Sequence, residues 1–300
     1  MRLVTRSDFD GLACGVLLYE IGVVDSCQFA HPKDLQDGIV DITDNDVLTN
    51  VPFVEGCGLW FDHHTSEQER IQGHDYKGSV EYIDSAAHVI YNYYSKEHDL
   101  SRFDEMIKWV DAVDAAKLTV NQVLNPEGWI MLGFIMDPRT GLGRFHDFTI
   151  SNYQLMEKLM DACRSMQIDE ILSLPDVQER IEVYREQNLL FKHMIEQHSY
   201  LDTNIIVTDL RGVRPIYSGN RFLVYSLFPN CNISMWVVDG KQKNVAIAVG
   251  KSIFDKTNTH DVGSILLEYG GGGHPQVGTC QIDGENADDT IIQLRERFKD

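Results

Sequence analysis

The spacing of apolar and polar positions changes character along the chain. Leu3 to Thr5 make a very short apolar run, followed by the polar segment RSDFDG and then by Leu12, Val16, Leu17 and Tyr19 at helical spacing. A strand, an acidic loop and a helix in that order open a parallel α/β unit. SCQFAH (26–31) predicts a second strand, stopped by Pro32, and CGLWFD (57–62) a third; helices are expected at about 85–98 and 103–112. From 152 to 200 the pattern is helical almost throughout, and Pro175 suits the first turn of its second helix. Beyond 200, TNIIVTDL, RFLVYSLF, NISMWVV and NVAIAVG read as four strands separated by turn residues. The helix THDVGSILLEY, the segment GGGGHP, a strand VGTCQI and a helix near 287–298 complete the order. The fold class is therefore α/β in two domains, 1–175 and 201–300, joined by a linker helix over 176–200.

Length and charge narrow the setting. A chain of 300 residues with 43% apolar content accommodates two ordinary cores. With 46 acidic and 26 basic side chains its formal charge is -20. Such a surface repels long polyanions, which excludes a protein that coats or tracks long duplex nucleic acid. A small anionic substrate stays allowed, because a metal ion or a local arginine cluster outweighs the mean field. The six cysteines are scattered without a C-x-x-C pair, as expected of reduced thiols in the cytoplasm. Asp8, Asp10 and Glu20 exclude a signal peptide, and no apolar run is long enough to span a membrane.

Acidic groups recur just after strands, where open α/β sheets bind ligands. Asp8 and Asp10 stand two apart, so in extended backbone both carboxylates face one side; an acidic helix cap would also place them there. Asp62, His63 and His64 follow the third strand, and two imidazoles beside a carboxylate exceed what a solvated strand end requires. GGGGHP (270–275) supplies more glycine than a helix cap needs, and bare backbone N–H groups can close on an anion. Arg211, Arg214 and Arg221 lie close together and could hold phosphate bidentately, although such arginines are ordinarily ion-pair partners. Carboxylate and imidazole donors without thiolate favour Mn²⁺, Mg²⁺ or Fe²⁺ over structural zinc. Two such ions could activate a water and stabilise the departing oxygen of a phosphoester.

SDFDG, then FDHH, then the late GGGGHP resemble the DHH phosphoesterase family with its DHH-associated C-terminal domain, over essentially the whole chain. The subgroup it resembles holds exopolyphosphatase-related proteins and small-oligonucleotide phosphodiesterases. The resemblance implies an N-terminal parallel-sheet domain, a smaller C-terminal mixed-sheet α+β domain, an active site in the cleft between them, and Mn²⁺, with Mg²⁺, Fe²⁺ or Co²⁺ as alternatives. By motif, Asp8 and Asp10 are the first metal ligands. The second-motif ligand falls in DITDNDVLTNVPF, at Asp46 with Asp44 as alternative. Asp62 bridges the ions, His63 ligates, and His64 acts on the substrate. Asp114, ahead of Asp111, is the last ligand, while Gly271, Gly272, Gly273, His274 and Arg221 bind substrate.

One departure stands out. Where many members carry a histidine before the first aspartates, this chain has Arg6, which cannot ligate a metal. One metal site is then weak, filled by other groups, or replaced by the guanidinium charge beside the substrate. The expected activity is an Mn²⁺-dependent phosphodiesterase or phosphomonoesterase acting on a short oligonucleotide, a dinucleotide or another small phosphorylated substrate, with Phe222 or Tyr225 available to stack on bases. The alternatives are an exopolyphosphatase or pyrophosphatase, and a non-hydrolytic nucleotide-binding protein in which Arg6 has ended catalysis. No membrane partner is expected, and a homodimer is compatible with the chain.

Overall fold

Five short strands form a parallel sheet in the computed structural model, which describes residues 1–64, 67, 71–140, 142–240 and 243–299. They are β1 (Arg2–Thr5), β2 (Ser26–Phe29), β3 (Asp46–Thr49), β4 (Leu59–Asp62) and β5 (Gly78–Val80), in the order β2-β1-β3-β4-β5. All four pairings are parallel, so the carboxyl ends of the strands gather on one edge. The sequence pattern missed β3 and β5. Val47 and Leu48 are both buried, so β3 lacks the alternation that marks a half-exposed strand, and β5 has three residues.

Helices α1 (Phe9–Glu20), α2 (Pro32–Gln36), α3 (Ala86–Tyr94) and α4 (Asp104–Asp114) connect and cover this sheet. After α5 (Val120–Leu124), the helices α6 (Gly128–Met136), α7 (Asn152–Ser165), α8 (Ile168–Leu172) and α9 (Pro175–His198) follow. Every residue from Trp129 to Met136 is buried, so α6 has no polar face and left no amphipathic signal. The chain divides into two units, Met1–Leu118 with Pro126–Val183 and Thr119–Asn125 with Tyr184–Asp300, so α9 contributes to both.

The second unit is built on a six-stranded mixed sheet of β6 (Ser199–Asp202), β7 (Ile205–Asp209), β8 (Ile233–Asp239), β9 (Asn244–Lys251), β10 (Gly272–His274) and β11 (Val277–Asp283). Its order is β10-β11-β9-β8-β7-β6, with β7 and β8 the parallel pair. Ile205, Val207, Met235, Val237, Ile247 and Val249 of the sheet join a buried core with Leu266 of α11 (Val262–Leu267) and with Leu294 and Phe298 of α12 (Ala287–Phe298). Burying each such side chain stabilises by about 1.5–3 kcal/mol. RFLVYSLF, expected to be a strand, instead contains the helix α10 (Leu223–Leu227). Leu223, Val224 and Tyr225 are buried in succession, a pattern that a short covered helix shares with a covered strand. Among the described residues no helix is long and apolar enough to cross a membrane.

Asp46 ties the opening residues of two strands together. Arg2 and Asp46 are register partners, and the Asp46 carboxylate accepts Arg2 Nε at 2.6 Å and Nη2 at 2.9 Å, the Thr43 backbone N–H at 2.7 Å and the Thr43 hydroxyl at 3.0 Å. Burial alone would raise its pKa, but these hydrogen bonds outweigh it and hold the carboxyl below its ordinary range. A depressed folded pKa stabilises fully above the ordinary carboxylate range, and the contribution disappears as pH falls through the folded value. Asp46→Asn is expected to lower the free energy of unfolding at neutral pH by about 1–3 kcal/mol. In denaturant titrations the deficit should shrink below about pH 4; an equal deficit at pH 7 and pH 3 would contradict the pairing.

Candidate metal centre

The first aspartate motif lies where β1 runs into α1. Gly11 is obligatory there, since a Cβ on it would stand 2.0 Å from the Arg6 carbonyl oxygen. Asp8 caps α1: its Oδ1 accepts from the Gly11 N–H at 3.0 Å and from Asn50 Nδ2 at 3.0 Å. Its Oδ2 pairs with Arg6 Nε at 3.2 Å. The guanidinium thus occupies the oxygen that a cation would otherwise approach. Asp10, one residue into the helix, is 1% exposed and turns the other way. Its Oδ2 accepts from the Ala86 N–H at 3.0 Å and its Oδ1 from the Ala87 N–H at 2.8 Å, both in the first turn of α3.

At the end of β4 the chain turns, and the three residues of the FDHH motif take separate roles. Asp62 Oδ1 accepts from the His63 N–H at 2.9 Å and pairs with His64 Nδ1 at 2.8 Å. Its Oδ2 is buried without a hydrogen-bond partner among the described residues. His63 Nδ1 lies 3.1 Å from the Ile83 carbonyl oxygen, which only a protonated Nδ1 can satisfy. The neutral tautomer then leaves Nε2 as a bare lone pair, buried and unpartnered, 3.7 Å from Asp10 Oδ2 and 3.4 Å from Asp114 Oδ2. Asp114 is the last residue of α4, where a negative charge is disfavoured by the helix dipole.

These groups fit a divalent cation. One donor atom each from Asp10, His63 and Asp114 lies within 4.8 Å of the others, and Asp62, His63 and His64 form a second such group sharing His63. The unpartnered Asp62 Oδ2 and His63 Nε2 are the kind of buried lone pairs that a protein seldom leaves unmade. Burial, and next the charge of Asp114, push the Asp10 carboxyl up to about 7, against the pull of His63. Burial and the charge of Asp8 also raise Asp114. A divalent cation bound there would favour the deprotonated carboxylates. Burial would lower the His64 pKa, but its bond to Asp62 and the charges of Asp62, Asp114 and Asp10 raise it overall. Cys14 Sγ approaches Asp10 Oδ1 at 3.8 Å, yet burial holds this thiol well above its ordinary pKa, so it brings no thiolate.

Asp8, Asp10, Asp62, His63, His64 and Asp114 are thus gathered at the carboxyl edge of the parallel sheet, and Asp46 is not. It begins β3 at the opposite edge and its carboxylate is consumed by Arg2 and Thr43, which overturns its expected role as a ligand. Asp44 is exposed in the turn before it. The residue that follows β3 at the site edge is Asn50, 1% exposed with φ 55°, whose Oδ1 has no partner among the described residues. Nothing in the sequence pointed to Asn50, because a neutral amide carries none of the charge by which the motif was sought. Asp111 accepts from Ser85 Oγ at 2.6 Å and pairs with His88 Nδ1 at 2.7 Å, away from His63. Arg139 was also missed. Burial works against its charge, but Asp137, Asp114 and Asp8 outweigh that and raise its pKa, which places a cation near the site.

In the second unit the glycine segment is partly architectural. A Cβ on Gly271 would meet the Thr279 carbonyl oxygen at 2.1 Å, and Gly273 has φ 155° with the Val277 carbonyl oxygen at 2.3 Å from its built Cβ. Gly272 faces open space, and His274 is exposed on the edge strand β10. Arg211 pairs with Asp209 and Asp288, and Arg214 with Asp239, as surface ion pairs do. Arg221 lies over the Phe222 ring at 4.3 Å. Phe222 and Tyr225 are buried, and the Tyr225 hydroxyl bonds Ser234 Oγ at 2.7 Å, so neither offers a face for a base to stack on.

No family model matches the chain, and no curated protein matches it. Among solved structures, the pGpG-specific phosphodiesterase PggH from Vibrio cholerae is 45% identical, with a TM-score of 0.88 over 99% of this chain and 98% of that one. RecJ from Thermus thermophilus, solved in complex with Mn²⁺, is 13% identical with a TM-score of 0.48 over 100% of this chain and 52% of that one, a likeness too distant to bear on the site. Full-length identity at the level of PggH, together with the SDFDG and FDHH motifs converging at the carboxyl edge of a parallel sheet, places the chain in the DHH family of phosphoesterases, hydrolases that act on phosphoester bonds.

Proposed function

We propose that the protein is an Mn²⁺-dependent phosphodiesterase that hydrolyses short oligonucleotides, and dinucleotides of the pGpG kind in particular. The observation that carries this reading is the pair of unpartnered buried donors, Asp62 Oδ2 and His63 Nε2, beside two further carboxylates. The substrate class rests on the 45% identity to a pGpG-specific phosphodiesterase. Asp10, Asp62, His63 and Asp114 would hold the ion. Oxygen and imidazole donors without thiolate suit Mn²⁺. When bound, such an ion lowers the pKa of a water and withdraws charge from a phosphoryl oxygen.

The remaining chemistry belongs to side chains. Asp62 divides its oxygens: Oδ2 has no partner among the described residues and would be available to a cation, while Oδ1 fixes His64 by its Nδ1. That leaves His64 Nε2 to present a proton. As water attacks phosphorus and the P–O bond to the leaving ribose breaks, the leaving oxygen takes the His64 proton, the attacking water gives up its own proton to solvent, and His64 is reprotonated from solvent. In the second unit, Gly272, His274 and Arg221 are the residues assigned to phosphate binding by the motif.

A single ion per chain follows from Arg6 and Asn50. Together with the Gly11 N–H they engage both oxygens of Asp8, and the guanidinium repels a second cation. The wild-type protein should therefore carry about one tightly bound divalent ion by elemental analysis, and Arg6→His should increase that number. Two equally tight ions in the unmutated protein would defeat the single-ion reading.

Asp62→Asn replaces the oxygen anion by an amide and should lower both Mn²⁺ affinity and turnover, the latter on the order of 10²- to 10³-fold. Full metal content with full turnover in this variant would remove Asp62 from the site. For substrate choice, the Mn²⁺-loaded protein is expected to cleave pGpG and pApA to mononucleotides and to leave polyphosphate and pyrophosphate intact; the reverse preference would favour a polyphosphatase. His274→Ala should raise KM for pGpG about tenfold, equivalent to roughly 1.4 kcal/mol, with metal content unchanged. Loss of metal, or an unchanged KM, would take His274 out of substrate binding.

A further inference from the structure

The segment Ile83–Ala87 touches two of the proposed ligands through its backbone alone. The Ile83 carbonyl fixes the tautomer of His63, and the Ala86 and Ala87 N–H groups fix both oxygens of Asp10. A third ligand, Asp114, lies on a different element, α4. The geometry of the centre therefore depends on what holds this segment against the end of α4. The connection is made by side chains that do not reach the centre themselves.

Ser85, fully buried, caps α3 by accepting from the His88 N–H at 3.1 Å, and its hydroxyl donates to Asp111 Oδ1 at 2.6 Å. The other oxygen of Asp111 pairs with His88 Nδ1 at 2.7 Å, so this one carboxylate from α4 binds the cap and the first turn of α3 together. Asp111 lies one helical turn before Asp114, on the same side of α4. Past the end of α4, Lys117 Nζ reaches both oxygens of Asp84 at 2.8 and 2.6 Å, a second tie to the same segment. That tie is exposed and contributes little by itself. The Ser85–Asp111 bond is fully buried at its serine end.

We propose that Ser85, Asp111 and His88 are positioning residues of the metal centre: they lock the backbone that orients Asp10 and His63 to the helix end that carries Asp114. The proposal rests on the metal reading above. Groups that orient ligands from behind typically change metal affinity or activity by about 10- to 100-fold when removed. A purely structural pair of helix contacts would lower stability and leave affinity alone. Tyr91 supplies that comparison, because its hydroxyl joins α3 to Asp104 of α4 at 2.5 Å without touching the segment 83–87.

The test is calorimetric titration of Mn²⁺ into the metal-stripped full-length protein, with thermal melts of the same samples. Asp111→Asn and Ser85→Ala are expected to weaken Mn²⁺ binding about tenfold or more. Ser85→Thr, which keeps the hydroxyl, should retain near wild-type affinity, and Tyr91→Phe should lower the melting temperature without changing affinity. Should Asp111→Asn fail to fold, the comparison of Ser85→Ala with Ser85→Thr decides. Wild-type affinity in Ser85→Ala, or an equal loss in Tyr91→Phe, would overturn the positioning role. Absence of Mn²⁺ binding in the wild-type protein would instead defeat the metal reading.

Discussion

Two carboxylates, Asp10 and Asp114, lie 3.7 and 3.4 Å from Nε2 of His63, and their charge is the constraint from which the rest of the centre follows. Like charges in a desolvated setting raise each other's proton affinity unless a cation relieves them. Burial raises both Asp10 and Asp114, and the charges of Asp114 on the first and of Asp8 on the second add to that crowding. The backbone around them is arranged to keep it. Two N–H groups of α3 hold Asp10, a carbonyl holds His63, and Asp114 sits at a helix end that disfavours its charge. A divalent cation of the kind proposed above would relieve that charge.

Asp8 is held by a different balance. Arg6 neutralises it at 3.2 Å, and Asn50 donates to it from the end of β3. A guanidinium and an amide, both unable to act as anionic ligands, stand where a second cation would need anions. The positive charge at this end of the centre is built into the chain, and Arg139 adds to it from a neighbouring turn. A phosphate entering the proposed site would meet these fixed cations.

Much of this was legible in the sequence because the parallel fold converts order into position. Acidic residues just after β1 and β4 had to share an edge, and they do. By motif Asp114 is preferred to Asp111, and in the structure Asp111 bonds Ser85 and His88 while Asp114 lies 3.4 Å from His63 Nε2. Asp46 misled because spacing along a loop does not reveal which end of a short strand a residue begins. Its strand, β3, was invisible to periodicity, and so was the fact that Asp46 opens that strand and Asn50 follows it. Phe222 and Tyr225 failed for a related reason: an apolar run read as a strand turned out to be a buried helix, and its rings went into the core.

The position of a bound Mn²⁺ ion is the most direct test of the proposed centre. A crystal of the protein grown with Mn²⁺, with data collected at the manganese absorption edge, locates it without reference to activity. The prediction is one strong anomalous peak per chain, within bonding distance of Asp10, Asp62, His63 and Asp114, with Asp8 still paired to Arg6. A peak of equal height on Asp8, or none near His63 at saturating Mn²⁺, would contradict it.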